Sequence, residues 1–174
     1  MYYEEMKKFN LVPDLSTMNS LIKLIRQSPE KEYDKLVNEM IARLKEIKSY
    51  DLRPNLATFN NCLELLKSFN MNTKIVPIAF DTLKEMELTN IKPSLATYMH
   101  LLSIVYPNYQ VGQKTRVLEQ ILDILDKDES LFEWRDLNDG VFFKVAMDKC
   151  QSASKSIDNA KRLHSILMKN NNIR

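Results

Sequence analysis

The chain has 174 residues, 44% of them hydrophobic, and 25 basic against 23 acidic residues give a formal charge of +2. That apolar content argues for a folded chain rather than a disordered one, and the charge is too balanced to announce a nucleic-acid binder by itself. With only two glycines, Gly112 and Gly140, hairpin-rich β architectures and Gly-rich phosphate loops are excluded too, because both need residues free to adopt positive φ.

An all-α fold is therefore predicted. Cys62 and Cys150 belong to no CxxC or Cys/His cluster, which points to two reduced thiols rather than a disulfide or a metal site. No apolar run reaches the roughly 18 residues of a membrane span. The opening "MYYEEMKKFN" lacks the apolar core of a signal peptide and the Arg/Ser-rich character of a transit peptide. Such a chain is expected to be cytosolic or to have had its targeting segment removed.

Taken in order, the chain first offers "YEEMKKFNLVPD" from Tyr3, a helix end followed by a proline turn. A helical stripe follows, with Leu15, Met18, Leu21, Ile22 and Ile25 at offsets 0, 3, 6, 7 and 10. Next comes a second helix carrying Tyr33, Leu36, Val37, Met40, Ile41, Leu44 and Ile47. It runs into "LKEIKSYDLRPN" from Leu44, after which Leu56, Phe59, Cys62, Leu63 and Leu66 repeat the same offsets. Phe80, Leu83 and Met86 mark another second helix, and "LKEMELTNIKPS" from Leu83 closes it. Leu95, Tyr98, Leu101, Leu102 and Val105 then write the stripe a third time. Val117, Leu118, Ile121, Leu122 and Leu125 form the next second helix.

An acidic stretch follows. Between Lys114 and Asp139, four basic residues stand against eight acidic ones, so that window carries −4 and the rest of the chain +6; an anionic partner should avoid it. Asp126, Asp128 and Glu129 lie there beside the only tryptophan, Trp134, with Leu131 and Phe132. The stretch reads either as a solvated inter-repeat segment or as a partner-docking patch. A weaker fourth stripe starts at Gly140, with Phe143, Ala146, Met147 and Cys150, and a last helix spans about Ile157 to Met168. Met40, Met86 and Met147 fall on the stripes and are expected in the core.

The stripe starts are 41, 39 and 45 residues apart. No single hairpin of this kind can bury its stripe alone, but stacked hairpins can, and the predicted architecture is an α-solenoid of antiparallel helical hairpins. The expected units are residues 1–14, the second helix of an incomplete repeat; 15–55, 56–94, and 95–139 with the acidic extension; and a degenerate 140–174. The half-repeat at the start and the ending "NNNIR" predict a piece of a longer array. Within each turn, Asn10, Asp51 and Asn90 are expected to take the left-handed conformation that ends a helix. Pro13, Pro54 and Pro93 forbid its continuation. Asp14, Asn55 and Ser94 are natural N-caps for the helix that follows.

The turns "PDLSTMNSLI" and "PNLATFNNCL", and less closely "PSLATYMHLL", resemble pentatricopeptide repeats. Tetratricopeptide repeats lack this threonine-aromatic start. The family period is shorter, so the present one is stretched. The resemblance implies a single-stranded RNA binder in which two or three side chains per repeat read a base. By the family pattern the first repeat offers Asn19 with Asn55 and the second Asn60 with Ser94, pairings that suggest pyrimidines. The third offers Met99 with Asp139, which departs from the pattern because Met donates no hydrogen bond, and Lys144 in the fourth could reach a phosphate. The bland alternative is that Asn19 and Asn60 are solvent-facing or interhelix polar residues. Ser16, Ala57 and Ala96 stand where the family sandwiches the base with a branched apolar side chain.

"IKPSLATYMHLLSIVYP" and "DGVFFKVAMDKCQSASKSIDNAKRLHSILMKN", in that order, are further similar to family membership on the mitochondrial small ribosomal subunit. That likeness implies a mitochondrial matrix address, contact with ribosomal RNA and possibly messenger RNA, small-subunit ribosomal proteins as neighbours, and a role in translation. A free-standing organellar RNA-binding protein for transcript processing or stability, and a protein-only scaffold, remain the alternatives. No catalytic residue, metal, cofactor or small-molecule substrate is expected. His100 and His164 have no Cys, Asp or Glu at ligand spacing, so each reads as a surface or hydrogen-bonded histidine.

Overall fold

A computed structural model describes residues 2–28, 32–69, 72–108, 110–127, 138–151 and 156–171. Among these residues the secondary structure is entirely helical. The helices are α1 (Tyr2–Lys8), α2 (Leu15–Ile25), α3 (Tyr33–Ser49), α4 (Leu56–Lys67), α5 (Ile75–Leu88), α6 (Leu95–Asn108), α7 (Val111–Lys127), α8 (Asn138–Gln151) and α9 (Ser156–Asn171). The acidic run with Asp128, Glu129, Leu131, Phe132 and Trp134 lies outside the described residues.

The turns begin the architecture. Asn10, Asp51 and Asn90 take φ of 53°, 54° and 56°, the only positive values among the described non-glycine residues. At each turn the next amide reaches back to close the helix end: Leu11 N–H to Met6 C=O at 2.9 Å, Leu52 to Ile47 at 3.0 Å, Ile91 to Met86 at 2.8 Å. The left-handed residue donates one turn tighter, to Lys7, Lys48 and Glu87. This pair of bonds is a Schellman closure, and Asn or Asp tolerates its φ better than other non-glycine residues. Two residues after the proline-bearing turn has begun to extend, the next helix is capped. Asp14 accepts from the Thr17 amide at 2.7 Å, and Asn55 from the Thr58 amide at 3.1 Å. Ser94 and Thr97 cap each other, Ser94 N–H to Thr97 Oγ1 at 3.0 Å and Thr97 N–H to Ser94 Oγ at 3.4 Å.

These turns lead from one hairpin into the next, and the helices pair as hairpins: α2 with α3, α4 with α5, α6 with α7, α8 with α9. First helices stack on first helices, α2 on α4 on α6 on α8, while α7 packs on α9 in the layer of second helices. This is the α-solenoid. The stripes face inward between the layers. Met18, Ile22, Phe59, Cys62, Leu63, Leu66, Leu102 and Val105 are at most 1% exposed. Leu15 and Leu21 are only partly buried, because the first described first-helix has a first-helix neighbour on one side alone.

Met40 and Met86 are buried as their stripes require. Met147 is not: it is 37% exposed, and among the described side chains of the fourth stripe Ala146 and Cys150 are the buried ones. Its helix also begins at Asn138, ahead of Gly140, since no proline sets its start. Both cysteines are free and buried, and burial pushes the Cys62 thiol up to about 12, leaving it an inert core residue.

Polar contacts tie successive second helices together. Lys7 meets Glu46 at 2.8 Å, Lys48 meets Glu85 at 2.5 Å, and Arg162 meets Asp123 at 2.6 Å. Glu46 also accepts from the Tyr3 hydroxyl at 2.9 Å and from Arg43 at 2.5 Å. Those bonds outweigh its desolvation and hold its carboxyl below the usual range. No helix among the described residues is long and apolar enough to cross a membrane.

Candidate nucleic-acid interface

The first helices stack on one another, and between α2 and α4 they leave an open groove of about 390 Å³. Asn19, Ser20 and Lys23 line it from α2, with Asn55, Ala57 and Asn61 on the other side. The N-cap position and the first turns of these helices converge there because each hairpin is stacked nearly in register on the last. Short side chains at Ser16 and Ala57 keep the groove open and supply no broad apolar platform to clamp a ring.

The structure brings Asn19 and Asn55 together. Asn19 Nδ2 donates to Asn55 Oδ1 at 3.3 Å, an oxygen that also accepts from the Thr58 amide and from Thr58 Oγ1, each at 3.1 Å. Asn61 Nδ2 fixes the other edge by donating to the Asn19 carbonyl at 3.2 Å. Asn19 Oδ1 is buried with no hydrogen-bond partner. The pair therefore holds an unsatisfied acceptor on Asn19, while the Asn55 amide nitrogen remains available as a donor on an exposed residue. Asn19 thus makes interhelix hydrogen bonds and also lines the groove.

The second pair closes differently. Asn60 does not meet Ser94 directly; its Oδ1 accepts from Thr97 Oγ1 at 2.8 Å, and that hydroxyl lies 3.2 Å from Ser94 Oγ. Ser94 is one carboxamide shorter than Asn55, so the buried Thr97 spans the gap. An arriving base would have to compete with Thr97 for Asn60. In the third repeat Met99 is half-buried and packed against the core, and the side chain of Asp139 lies outside the described residues. Lys144, on α8, is exposed.

Three participants carried little signal in the sequence. Thr58 and Thr97 read as markers of a repeat start, yet each is fully buried and holds a carboxamide, Thr58 that of Asn55 and Thr97 that of Asn60; a Thr three residues after an Asn or Ser cap is the available clue. Lys23 is a lone basic residue until the groove places it beside Asn19. His100 corrects an expectation: it is neither a surface residue nor hydrogen-bonded at Nδ1. It is 9% exposed with that nitrogen buried and unpartnered, because α6 lays this face on α4. Burial first, then Lys67 and Arg26 against the opposing pull of Glu64, push its pKa down. His164 is exposed. Among the described residues no His, Cys, Asp and Glu cluster could hold a metal ion.

A family model described as a pentatricopeptide repeat domain matches this chain over residues 2–69 and again over 44–108. No curated protein matches it.

Proposed function

Because this chain belongs to the pentatricopeptide repeat family, we propose that it is a non-catalytic RNA-binding solenoid of the mitochondrial small ribosomal subunit, supporting translation in the mitochondrial matrix. The observation that carries the RNA reading is the Asn19–Asn55 groove. The exposed Asn55, whose carboxamide oxygen is engaged by Asn19 and Thr58, keeps its amide nitrogen free to donate to a carbonyl on the edge of a pyrimidine base. Lys23 on the same wall suits the phosphate that accompanies such a base. The remaining positions support binding more than reading: Asn60 is engaged by Thr97, and Lys144 is a charge without a base-reading neighbour among the described residues. Contact is therefore mainly electrostatic and shape-based, with one discriminating position.

The ribosomal address rests on the likeness of the segments from Leu52 onward to the pentatricopeptide-repeat protein of that subunit. Ribosomal RNA, messenger RNA and small-subunit proteins are the partners this implies. Two measurements test the proposal. Labelled oligo(U) and oligo(C) are expected to bind more tightly than oligo(A), with the preference lost in Asn19→Ala and Asn55→Ala; an unchanged preference removes base reading from this groove, and no affinity for any strand leaves a protein-only scaffold. Sedimentation of mitochondrial lysate at high salt is expected to place the full chain with assembled small subunits. Slow sedimentation with RNA affinity intact would favour the free-standing transcript-processing or stability factor.

A further inference from the structure

A second cavity, of about 280 Å³, opens between α3 and α5. The second helices α7 and α9 pack on each other, whereas α3 and α5 do not pack closely and are tied by the Lys48–Glu85 ion pair at 2.5 Å. Met40 and Phe59, each 1% exposed, form the cavity floor, and half-buried Ile41, Leu44 and Ile78 form its walls. Lys48, Asp81 and Glu85 stand around it. It shares no residue with the Asn19–Asn55 groove.

One unit earlier the chain fills the equivalent space itself. Aligned on their turns, Tyr3 and Lys7 of α1 hold the places of Leu44 and Lys48 in α3, and Arg43 and Glu46 of α3 hold those of Thr82 and Glu85 in α5. In the earlier junction Tyr3 is 7% exposed and its hydroxyl donates to Glu46 at 2.9 Å. Arg43 lies over the Tyr3 ring, 4.8 Å from its centroid, and bonds the same carboxylate. In the later junction a leucine stands for the ring and a threonine for the guanidinium, its hydroxyl donating instead to the Ile78 carbonyl at 2.8 Å. Glu46 has three side-chain donors, whereas among the described residues Glu85 has Lys48 alone. Asp81, exposed in the place of Ala42, has no partner among the described residues. The cavity is therefore an apolar slot that lacks a ring and a guanidinium, beside two carboxylates with uncommitted acceptor positions.

We propose that this cavity is a docking site for a protein partner that inserts an aromatic side chain with an arginine beside it. The ring occupies the room that Tyr3 occupies one unit earlier, against Ile41, Phe59 and Ile78. The guanidinium lies over that ring and directs its fixed fork of donors at Glu85 and Asp81. An aromatic residue and an arginine two apart in an extended segment, or four apart on a helix, share the face this requires. Two carboxylates against one lysine repel a phosphate-bearing strand, so the site is separate from the RNA reading above and does not rest on it.

The test is titration of the full chain with the peptide acetyl-Tyr-Ala-Arg-amide, read by the methyl resonances of Ile41, Leu44 and Ile78. We expect saturable shifts at these methyls, absent with acetyl-Tyr-Ala-Glu-amide and with acetyl-Ala-Ala-Arg-amide. Asp81→Asn, an exposed change that leaves the packing alone, should weaken the peptide by about twofold to fivefold. Leu44→Tyr combined with Thr82→Arg copies the filled junction into the empty one. That variant should lose peptide binding while keeping its circular dichroism spectrum and its affinity for oligo(U). Unshifted methyls, equal binding of the acidic peptide, unchanged affinity in Asp81→Asn, or binding that survives the double substitution overturns the proposal. So does displacement of the peptide by oligo(U). Concentration-dependent self-association that the double substitution abolishes overturns it too, by making the occupant a second copy of the chain. Each of these results leaves the reading of the Asn19–Asn55 groove standing.

Discussion

Glu46→Gln isolates what holds α1 to the array. Glu46 is the shared acceptor of Tyr3 at 2.9 Å, Lys7 at 2.8 Å and Arg43 at 2.5 Å. The amide keeps the volume and one acceptor oxygen, so the Tyr3 bond survives and the ionic character is lost. Arg43 is only 16% exposed; a charge-assisted bond to such a group contributes about 1.5–3 kcal/mol and a neutral one about 1, a loss of about 1 kcal/mol or somewhat more. Lys7, at 36% exposed, is screened and adds at most about 1 kcal/mol. The total is about 2 kcal/mol. The Tyr3 ring keeps its two cations, Lys7 at 4.5 Å and Arg43 at 4.8 Å from its centroid, which caps the damage. Because neighbours carry the stability in a solenoid, the loss should be local. Arg43 and Glu46 both lie on α3, so amide hydrogen exchange over α1 is expected to quicken by about fivefold, the Lys7 share, with the melting temperature of the chain falling by about 4–8 °C at most. Unchanged exchange in α1, or acceleration spread evenly through α9, would refute the reasoning.

Other outcomes follow from the same geometry. Asp51→Val, placing a β-branched residue at φ of 54°, should destabilise by about 1–2 kcal/mol in urea titration, whereas Asp51→Gly should change stability little. Leu66→Ala, at a position with 0% exposure, should cost about 2–5 kcal/mol; Met147→Ala, at 37% exposure, should stay within about 0.5 kcal/mol by the same assay. His100 has a folded pKa lowered by burial first and then by Lys67 and Arg26. Its unfolded form therefore binds the proton more readily, and stability should decline as pH falls below about 6.5 and on through the folded value. His100→Gln should flatten that part of the curve, as read by thermal melts between pH 5 and 7.

The fold was legible because three of its turns are written locally. A left-handed Asn or Asp, a proline and a cap recur at Asn10 to Asp14, Asp51 to Asn55 and Asn90 to Ser94, and backbone sterics act on them without help from distant residues. The stripes were legible for the same reason, being a periodicity of single helices. Met147 was not, because its exposure depends on which neighbours α8 meets, and stripe membership alone does not specify them. The candidate site was half visible. Asn19 and Asn55 could be named in advance, yet the difference between that pair and Asn60–Ser94 lies in a side-chain length and in where the Thr97 hydroxyl points. His100 was least legible, since its burial depends on how α6 packs on α4.

The ion pairs between second helices bear on how such an array can grow. Lys7 and Lys48 hold the same place in their turns' sequence blocks, as do Glu46 and Glu85, so the contact from one unit to the next is the same contact twice. Deleting residues 15–55 would bring Lys7 opposite Glu85, and duplicating them would insert another identical rung; either edit leaves every lysine with a glutamate. The interchange stops at Glu87, which occupies the place of Lys7 and Lys48 with the opposite sign. A copy of residues 15–55 grafted beyond it would set Glu87 against Glu46. The first units are thus interchangeable parts, and the junction after α5 is where their order becomes fixed.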